Sequence, residues 1–480
     1  MAVTEKPTHQ KTRVVSVVAA TAIALACGTN YAYSAWAPQF AEKLQLSTTQ
    51  SNIIGTAGNM GMYAAGIPVG MITDRKSPRL AALIGVFSLF GGYYPIRFAY
   101  DDGAGSMSVA LLSFCSFLSG VGSCAAFQAA MKVATLNWPT HRGTATAFPL
   151  AAFGLSAFFY TFIAGIAFPG NTSSLLAFLS FGTSMVVLAA LPFLHVVDHR
   201  TGTGYAVLPT NERTRRNSNV LHQTRSNGSK HSSRYSGTSI PHMEPNVTGL
   251  ALLYKFEFWQ IWVIMGLLTG VGLMTINNIG HDAQALWNHW DPTASKDFVA
   301  HRQLWHVSII SLGSFSGRLL SGIGSDVIVK RLGGSRFWCV VVAATVFVIA
   351  QVCATRIENP NHLWAVSGLC GLAYGILFGV LPAVVVDAFG PDNFAVNWGV
   401  MTLAPVVSGN IFNLFYGAVY DSHSEVQVGG EFNCDEGIVC YKAAYYVTLV
   451  SSALGIVACL WAIQTESAKR TAEELEDHQA

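Results

Sequence analysis

The sequence is short of charge, and this shortage limits the class of protein. Asp, Glu, Lys and Arg make up 11% of its 480 residues, whereas soluble domains carry about 25%. Hydrophobic residues make up 51%, and the mean hydropathy is +0.40. Most of the surface must therefore face a medium other than water. The formal net charge of +2 gives no basis for a nucleic-acid partner.

Motifs of catalysis and cofactor binding are also missing from the sequence. We find no His-x-x-Glu-His pattern, no Gly-x-Ser-x-Gly with partner residues and no P-loop. We therefore predict that the protein is not an enzyme and holds neither a cofactor nor a metal. Nine cysteines are too few for a disulfide scaffold. Seven of them lie in apolar runs, where cysteine acts as a small hydrophobic residue.

Twelve apolar runs account for the high hydropathy. A membrane helix needs about 20 mainly apolar residues, and a lipid-facing backbone has to be helical. The runs predict an all-α membrane protein with spans near 14–38, 50–72, 79–99, 107–131, 143–168, 174–197, 254–279, 303–326, 336–355, 362–386, 394–420 and 443–464.

The distribution of Lys and Arg predicts the orientation of these spans. If the N-terminus is cytoplasmic, 21 of the 28 Lys and Arg residues fall on the cytoplasmic side, as the positive-inside rule requires. A hydrophilic stretch between the two sets of six spans has little to bury, and we expect it to be disordered. The predicted layout is an N-terminal tail 1–13, a six-helix bundle 14–197, a linker 198–250, a second bundle 251–465 and a C-terminal tail 466–480.

One short motif occurs once in each half of the chain. Gly70-Met-Ile-Thr-Asp74 closes the second span, and Gly322-Ile-Gly-Ser-Asp326 closes the eighth. Gly70 suits close helix approach. The aspartate could pair with a helix N-terminus or a basic residue of the other bundle and so latch one conformation. The alternative is a solvated turn.

Here the sequence resembles the major facilitator superfamily, whose signature between spans two and three reads Gly-x-x-x-Asp-Arg-x-Gly-Arg-Arg. The match covers Gly70, Asp74, Arg75 and Arg79 and departs at Ser77 and Pro78. The resemblance implies two six-helix bundles around one central site that opens alternately to either side. We expect the matching residues, with Gly322 and Asp326, to form the conformational latch.

A narrower resemblance is to the nodulin-like major facilitator proteins of fungi, including the fungal homologues of monocarboxylate transporters. It implies a transporter of the vacuolar membrane, with the plasma membrane as the second choice. The matching strings are 28–36, 143–145, 276–280, 317–322, 397–399 and 434–441.

Arg318 is the exception to the lack of charge inside the spans, where charged residues are costly and usually functional. In proton-coupled monocarboxylate transporters, the eighth span carries Arg-x-x-x-Gly, and this arginine binds the substrate carboxylate. Arg318 and Gly322 match that spacing, but Ser314 replaces the aspartate that the family carries one turn earlier. The alternative is a structural role, in which Arg318 braces the helix ends near Asp326 or Asp387.

Neutral polar residues are the other candidates for the lining of a central cavity. Each could equally form a hydrogen bond between helices. They are Asn30, Tyr33, Asn59, Gln128, Asn277, Asn278 and Asn410. His281 and His306 could titrate in an acidic lumen, although a satisfied histidine at a helix interface is the plainer reading.

Three candidate modification sites lie outside the spans. Cys434 and Cys440 share a polar loop on the predicted luminal side, where a disulfide is expected. Asn171 begins a glycosylation sequon on the same side. Ser218, in the linker, follows two arginines in a pattern that basophilic kinases use.

These observations lead us to predict a monomeric secondary transporter. Its expected partners are membrane lipids, a small-molecule substrate, with a small carboxylate as first choice, and a coupling proton. An exporter of amphipathic metabolites and a transporter-like sensor remain as alternatives.

Overall fold

We describe the protein from a computed structural model that covers residues 7–138, 142–196, 247, 249–390, 394–426 and 432–479. The chain forms sixteen helices in these ranges. In the first half they are α1 Pro7–Cys27, α2 Ala37–Leu44, α3 Thr48–Ala64, α4 Gly66–Arg75, α5 Pro78–Asp102, α6 Val109–Asn137, α7 Arg142–Ala167, α8 Thr172–Ala177 and α9 Thr183–Ala190. In the second half they are α10 Phe256–Trp290, α11 Lys296–Leu332, α12 Phe337–Ala354, α13 Trp364–Phe389, α14 Phe394–Met401, α15 Leu403–Ser422 and α16 Val439–Gln479.

The helices make twelve spans, which confirms the predicted fold class. Eleven spans in the described part of the chain are long and apolar enough to cross a membrane. The second span, α3 with α4, is missing from that set because its Asn, Gln, Thr and Gly residues lower its hydropathy. The protein is therefore a multi-pass membrane protein.

Three spans are interrupted near their middle by a 3₁₀ segment or beside a proline, which the sequence prediction did not include; in the sixth span the helix continues between α8 and α9 as a π-helical segment, Phe178–Gly182. Between α1 and α2 the chain forms a 3₁₀ segment, Thr29–Ala35, and Gly28 lies so close to α7 that an added Cβ would overlap the Phe153 carbonyl oxygen. In the second and eleventh spans a proline, Pro68 or Pro405, is the third residue after the break. Because proline has no N–H, each removes one helical hydrogen bond.

Several helices extend beyond the predicted ends of their spans. The helix α10 continues to Trp290 and α11 begins at Lys296, both well beyond the predicted spans. The predicted C-terminal tail continues α16 as far as Gln479. The predicted linker lies outside the described residues except at its end, where the Val247 N–H donates to the Phe389 carbonyl.

The spans form two bundles, with α1–α9 in the N-terminal bundle and α10–α16 in the C-terminal bundle. Within each bundle glycines permit close helix contact: Gly120 of α6 packs on Gly58 of α3, and Gly371 of α13 packs on Ile310 of α11. We call the face that carries both ends of the chain the terminal face.

The opposite face is the disulfide face. It carries a two-stranded antiparallel hairpin, β1 Glu425–Val426 and β2 Phe432–Asn433. Directly after it, the structure joins Cys434 and Cys440 by a disulfide bond. The His289 ring bonds the neighbouring Asp435 carbonyl oxygen at 2.9 Å, so this loop is held against the end of α10.

Candidate functional site

Arg318 extends from α11 of the C-terminal bundle across to α7 of the N-terminal bundle. Its side chain is 5% exposed, and its Nη1 donates to the Leu150 carbonyl oxygen at 2.9 Å. The guanidinium lies 5.3 Å from the centre of the Phe153 ring and passes over Gly154, where an added Cβ would lie 3.1 Å from Nη1. A buried cation therefore bridges the two bundles.

This cation has spare hydrogen-bonding capacity. The Arg318 Nε atom is buried without a partner, and no carboxylate in the described part of the chain pairs with the guanidinium. A buried charge that is neither paired nor fully hydrogen-bonded is costly. An anion placed here would relieve that cost.

Three tyrosines meet beside Arg318 at the centre of the molecule. The hydroxyl of Tyr63 is 2.9 Å from that of Tyr31 and 2.8 Å from that of Tyr374, and the last two are 3.2 Å apart. Tyr31 lies in the 3₁₀ break of the first span and Tyr63 just before the break in the second. Because Tyr374 comes from α13, the three hydroxyls connect the bundles. The sequence prediction had not selected Tyr63 or Tyr374.

The predicted bracing role of Arg318 is performed by another arginine. Arg336 donates to Asp326 at 3.0 Å and to Asp387 at 2.8 Å, so Arg318 does not brace these ends. Burial lowers the pKa of the Arg336 guanidinium, but its hydrogen bonds to the two carboxylates outweigh burial and leave that pKa above its usual value. This network ties the helix ends on the terminal face of the C-terminal bundle.

One of the predicted polar pairs crosses between the bundles. Asn59 Nδ2 donates to Asn277 Oδ1 at 3.3 Å, and both side chains are buried. The Asn277 Nδ2 atom has no protein partner. Asn59 and Asn277 therefore lie in the contact between the bundles, where the Asn277 amide still has an unused hydrogen-bond donor.

The other predicted polar residues bond inside their own bundle. Asn30 donates to the Gly58 carbonyl at 3.1 Å, and Tyr33 donates to the Ser51 carbonyl at 2.6 Å. The remaining bonds run from Gln128 to the Gly66 carbonyl, from Asn278 to Asn413 and from Asn410 to the Val406 carbonyl. These contacts stabilise the packing of each bundle.

The described latch residues also make contacts within one bundle. Arg79 donates from Nε to the Leu194 carbonyl at 3.0 Å, and the Gly70 Cβ position is 3.3 Å from Gln128 Oε1. Space is open around Gly322. The side chains of Asp74 and Arg75 lie outside the described residues, so the latch stays a prediction.

The candidate modification sites and histidines have simple surroundings. Asn171 is exposed and caps α8 by accepting from the Ser174 N–H at 2.9 Å. Ser218 lies outside the described residues. His306 contacts the Ser367 hydroxyl at 3.1 Å within the C-terminal bundle. His281 is buried, and its Nε2 has no protein partner.

The two bundles close against each other on the disulfide face. Asp421, at the end of α15, accepts from the Thr48 and Thr49 N–H groups at 2.7 and 2.9 Å. A carboxylate at a helix N-terminus is favourable because it meets free N–H groups and the positive end of the helix dipole. Lys296 pairs with Glu42 across the same contact.

A cavity of about 280 Å³ lies beside this contact. Gln39 donates to Gln303 at 2.5 Å on its wall, and the Gln303 Nε2 atom is buried without a partner. His281 and Tyr420 also line it. The cavity is therefore polar and lies at the seam between the bundles.

Asp282 is a functional candidate that the sequence prediction did not select. It lies three residues past the predicted end of the seventh span at 279, but α10 continues two turns beyond it, and Asp282 is completely buried. Its two oxygens accept from the hydroxyls of Tyr416 at 2.6 Å and Tyr445 at 2.5 Å. The sequence did contain a signal for this cluster. Tyr416 and Tyr420 are one helical turn apart, and so are Tyr441 and Tyr445.

Two six-span bundles, with broken spans at their contact and a buried arginine between them, define the major facilitator class of membrane transport fold. Solved structures confirm the fold. A bacterial homologue of the human lysosomal transporter Spinster, inward-facing and unoccupied, superposes with a TM-score of 0.59 at 16% identity, covering 96% of each chain. The nucleoside transporter NupG gives 0.60 at 11% identity, covering 94% of this chain and 99% of its own.

Sequence comparisons confirm the narrower resemblance. The Nodulin-like family model matches residues 13–221. An uncharacterised membrane protein of Saccharomyces cerevisiae is 27% identical over 93% of both chains. The protein called probable transporter MCH1 of Gibberella zeae is 24% identical over 94% of this chain and 90% of its own.

Proposed function

We propose that the protein is a secondary active transporter of small organic anions, with Arg318 as the anion-binding residue. The observation that carries this proposal is the buried guanidinium between the bundles, which keeps an unpaired Nε and has no carboxylate partner. Guanidinium groups bind carboxylates through two parallel hydrogen bonds. The relatives that are called probable transporters support transport as the general activity.

The mechanism we propose is alternating access. Arg318 and Tyr374 belong to the C-terminal bundle, whereas Tyr31, Tyr63 and Phe153 belong to the N-terminal bundle. An anion bound to Arg318 can replace the bonds that these side chains make with each other. When the bundles separate on one face, the anion is exposed to that side.

The surroundings of Arg318 also narrow the class of anion. Aromatic rings lie on one side of the cation: Phe153 is 5.3 Å from the guanidinium, Tyr31 packs on Phe153 at 5.7 Å, and Tyr374 packs on Tyr31 at 5.7 Å between ring centres. Such walls suit an anion with an apolar or aromatic body, since aromatic residues bury large apolar areas. A monocarboxylate of this kind is the first candidate, and an amphipathic acidic metabolite is the second.

Uptake into proteoliposomes tests the proposal. We expect saturable uptake of labelled monocarboxylates by the unchanged protein and at least a tenfold loss in Arg318→Ala, since a charged hydrogen bond is worth about 1.5–3 kcal/mol. Arg318→Lys keeps the charge without the planar fork, so partial activity is expected. The control is Arg302→Ala, because Arg302 is also on α11 but is exposed over Trp287 and Phe298.

Two results would reject the anion site. One is the absence of carboxylate uptake by the unchanged protein, with or without a proton gradient. The other is normal uptake by a correctly folded Arg318→Ala protein. For location we propose the vacuolar membrane, on the resemblance to fungal nodulin-like proteins, with the plasma membrane as the alternative. Microscopy of a fluorescently tagged chain decides between them.

A further inference from the structure

Asp282 is a fully buried carboxylate at the junction of three helices of the C-terminal bundle. It lies on α10 and accepts one hydrogen bond from Tyr416 of α15 and one from Tyr445 of α16. No Lys or Arg in the described part of the chain pairs with it. Ionisable residues buried in membrane spans without a counter-charge are expensive and mark functional sites.

The groups that face Asp282 directly are four tyrosines: Tyr416 and Tyr420 on α15, and Tyr441 and Tyr445 on α16. The titratable groups that face these tyrosines or adjoin Asp282 in sequence are His281 on α10, Asp421 on α15, Cys370 on α13 and Asp435 in the disulfide loop. All are neutral or acidic when His281 is uncharged. The carboxylate is therefore held by hydroxyl groups rather than by a cation.

A short route joins Asp282 to the cavity on the disulfide face. His281, its neighbour in sequence, and Tyr420 both line that cavity, and their ring centres are 5.6 Å apart. The Tyr420 ring stacks on Tyr416 at 5.9 Å, and Tyr416 donates to Asp282. The side chains of His281, Tyr420 and Tyr416 therefore lie between the cavity on the disulfide face and the carboxylate of Asp282.

Tyr416 also connects Asp282 to the closed contact between the bundles. Gly417 follows Tyr416 directly and packs so tightly on Thr49 that an added Cβ would lie 2.7 Å from the Thr49 Cα atom. One turn further, Asp421 caps α3. A change at Asp282 that moves α15 consequently reaches the contact that closes the disulfide face.

Protonation changes what Asp282 can do with its two tyrosines. The ionised carboxylate accepts from both, and such O–H···O⁻ bonds are short and strong. When a proton from the disulfide face binds one oxygen, that oxygen becomes a donor. The tyrosine that donated to it has to turn its own hydroxyl away or release the contact, so one link between α10 and α15 or α16 is weakened.

We propose that Asp282 is the proton-binding site of the protein, and that its protonation favours opening of the disulfide face. This assigns the coupling proton to a group on α10 and not to the eighth span, where Ser314 stands. The role in coupling rests on the proposed transport function. Proton binding and the conformational response do not, and they are measured without substrate.

The experiment uses the full-length protein in lipid nanodiscs with spin labels at Ala104→Cys and Glu358→Cys. Both positions are exposed, on opposite bundles, in loops of the disulfide face. In the labelled parent we expect the distance between the labels to lengthen as the pH falls. In Asp282→Asn, which cannot titrate, we expect the distance to be independent of pH. Infrared difference spectra should show a protonated carboxyl band that Asp282→Asn removes.

Tyr445→Phe is an independent test that remains available if the Asp282→Asn protein does not fold. It removes one bond to the ionised form, so the midpoint of the distance change should move to higher pH by about one unit or more. Any of three results would overturn the proposal. The label distance in the parent does not change with pH, the titration persists unchanged in Asp282→Asn, or the midpoint in Tyr445→Phe does not move. Failure of the Arg318 anion site leaves all three readouts intact, so the two proposals fail separately.

Discussion

Gly280→Ala should shift the protein from a closed towards an open disulfide face. Gly280 of α10 faces Ser34 in the first span, and an added Cβ would lie well under 3.0 Å from the Ser34 carbonyl oxygen and 3.2 Å from Pro38 Cγ. The first obstacle is backbone, so no rotamer change relieves it. Overpacking of this kind costs about 1–3 kcal/mol.

The clash acts between the bundles, so it penalises the state in which they touch and spares the state in which they part. A differential of 1–3 kcal/mol corresponds to a shift of roughly 5–150-fold in the ratio of the two states. Spin labels at Ala104→Cys and Glu358→Cys report the shift as a larger share of the long distance. Thermal unfolding should change little, because the open state escapes the clash.

Gly371→Ala is the matched control. Its added Cβ also meets a backbone carbonyl, that of Ile310, but both residues belong to the C-terminal bundle. All conformations suffer this clash equally, so we expect a lower unfolding temperature with no change in the label distances. The reasoning fails if Gly280→Ala leaves the distances as they were, or if Gly371→Ala shifts them to the same extent.

Three further predictions concern the contacts on the two faces. Asp421→Asn removes the charge that caps α3; since such a charge is worth about 0.3–2 kcal/mol, the same labels should show a several-fold rise of the open form. Arg336→Ala removes ion pairs with two half-exposed carboxylates, each worth about 0.2–1 kcal/mol, and should lower the unfolding temperature by a small amount in a thermal shift assay; an unchanged temperature contradicts this. Cys434 and Cys440 should react with maleimide in denatured protein only after reduction, and reaction without a reductant would show that they are free.

The number and approximate position of the spans could be predicted because the membrane fixes both length and polarity. The breaks in the first, second and eleventh spans could not be predicted, although the residues at these breaks, Gly28, Pro68 and Pro405, are visible in the sequence. A proline or glycine interrupts a membrane helix where a neighbour supplies compensating contacts. Here those contacts include Gln128 on the Gly66 carbonyl and Thr402 on the Tyr63 carbonyl, which no local pattern reveals.

The candidate site was predictable at Arg318 and at the Asn59–Asn277 pair, and it was hidden at the tyrosines and at Asp282. Arg318 stands out because charge is rare inside apolar runs. Tyr63 and Tyr374 look like ordinary aromatic residues until the fold brings them together across 311 positions of sequence. Asp282 was missed because hydropathy falls before the helix ends, so a buried position looked like the edge of the membrane.

Arg318 and Asp282 together suggest why anion and proton would move as a pair. Both belong to the C-terminal bundle, one a buried cation and the other a buried carboxylate, and neither pairs with an opposite charge in the described part of the chain. When both sites are empty, they thus carry one buried charge of each sign. An anion alone leaves a net negative charge, and a proton alone leaves a net positive charge.

Binding of both ligands restores neutrality, so the empty and the fully loaded forms avoid a net buried charge when the bundles rearrange. Half-loaded forms carry one in the intermediate that is closed on both faces, at a cost of several kcal/mol in a medium of low polarity. This cost slows the passage between the faces and does not set which face is open at equilibrium. We therefore expect electroneutral uptake with one proton per monovalent anion. In proteoliposomes, a potassium diffusion potential should leave the uptake rate unchanged, whereas an inward proton gradient should raise it. Uptake that follows the potential instead would show that the two charges do not cross as a compensated pair.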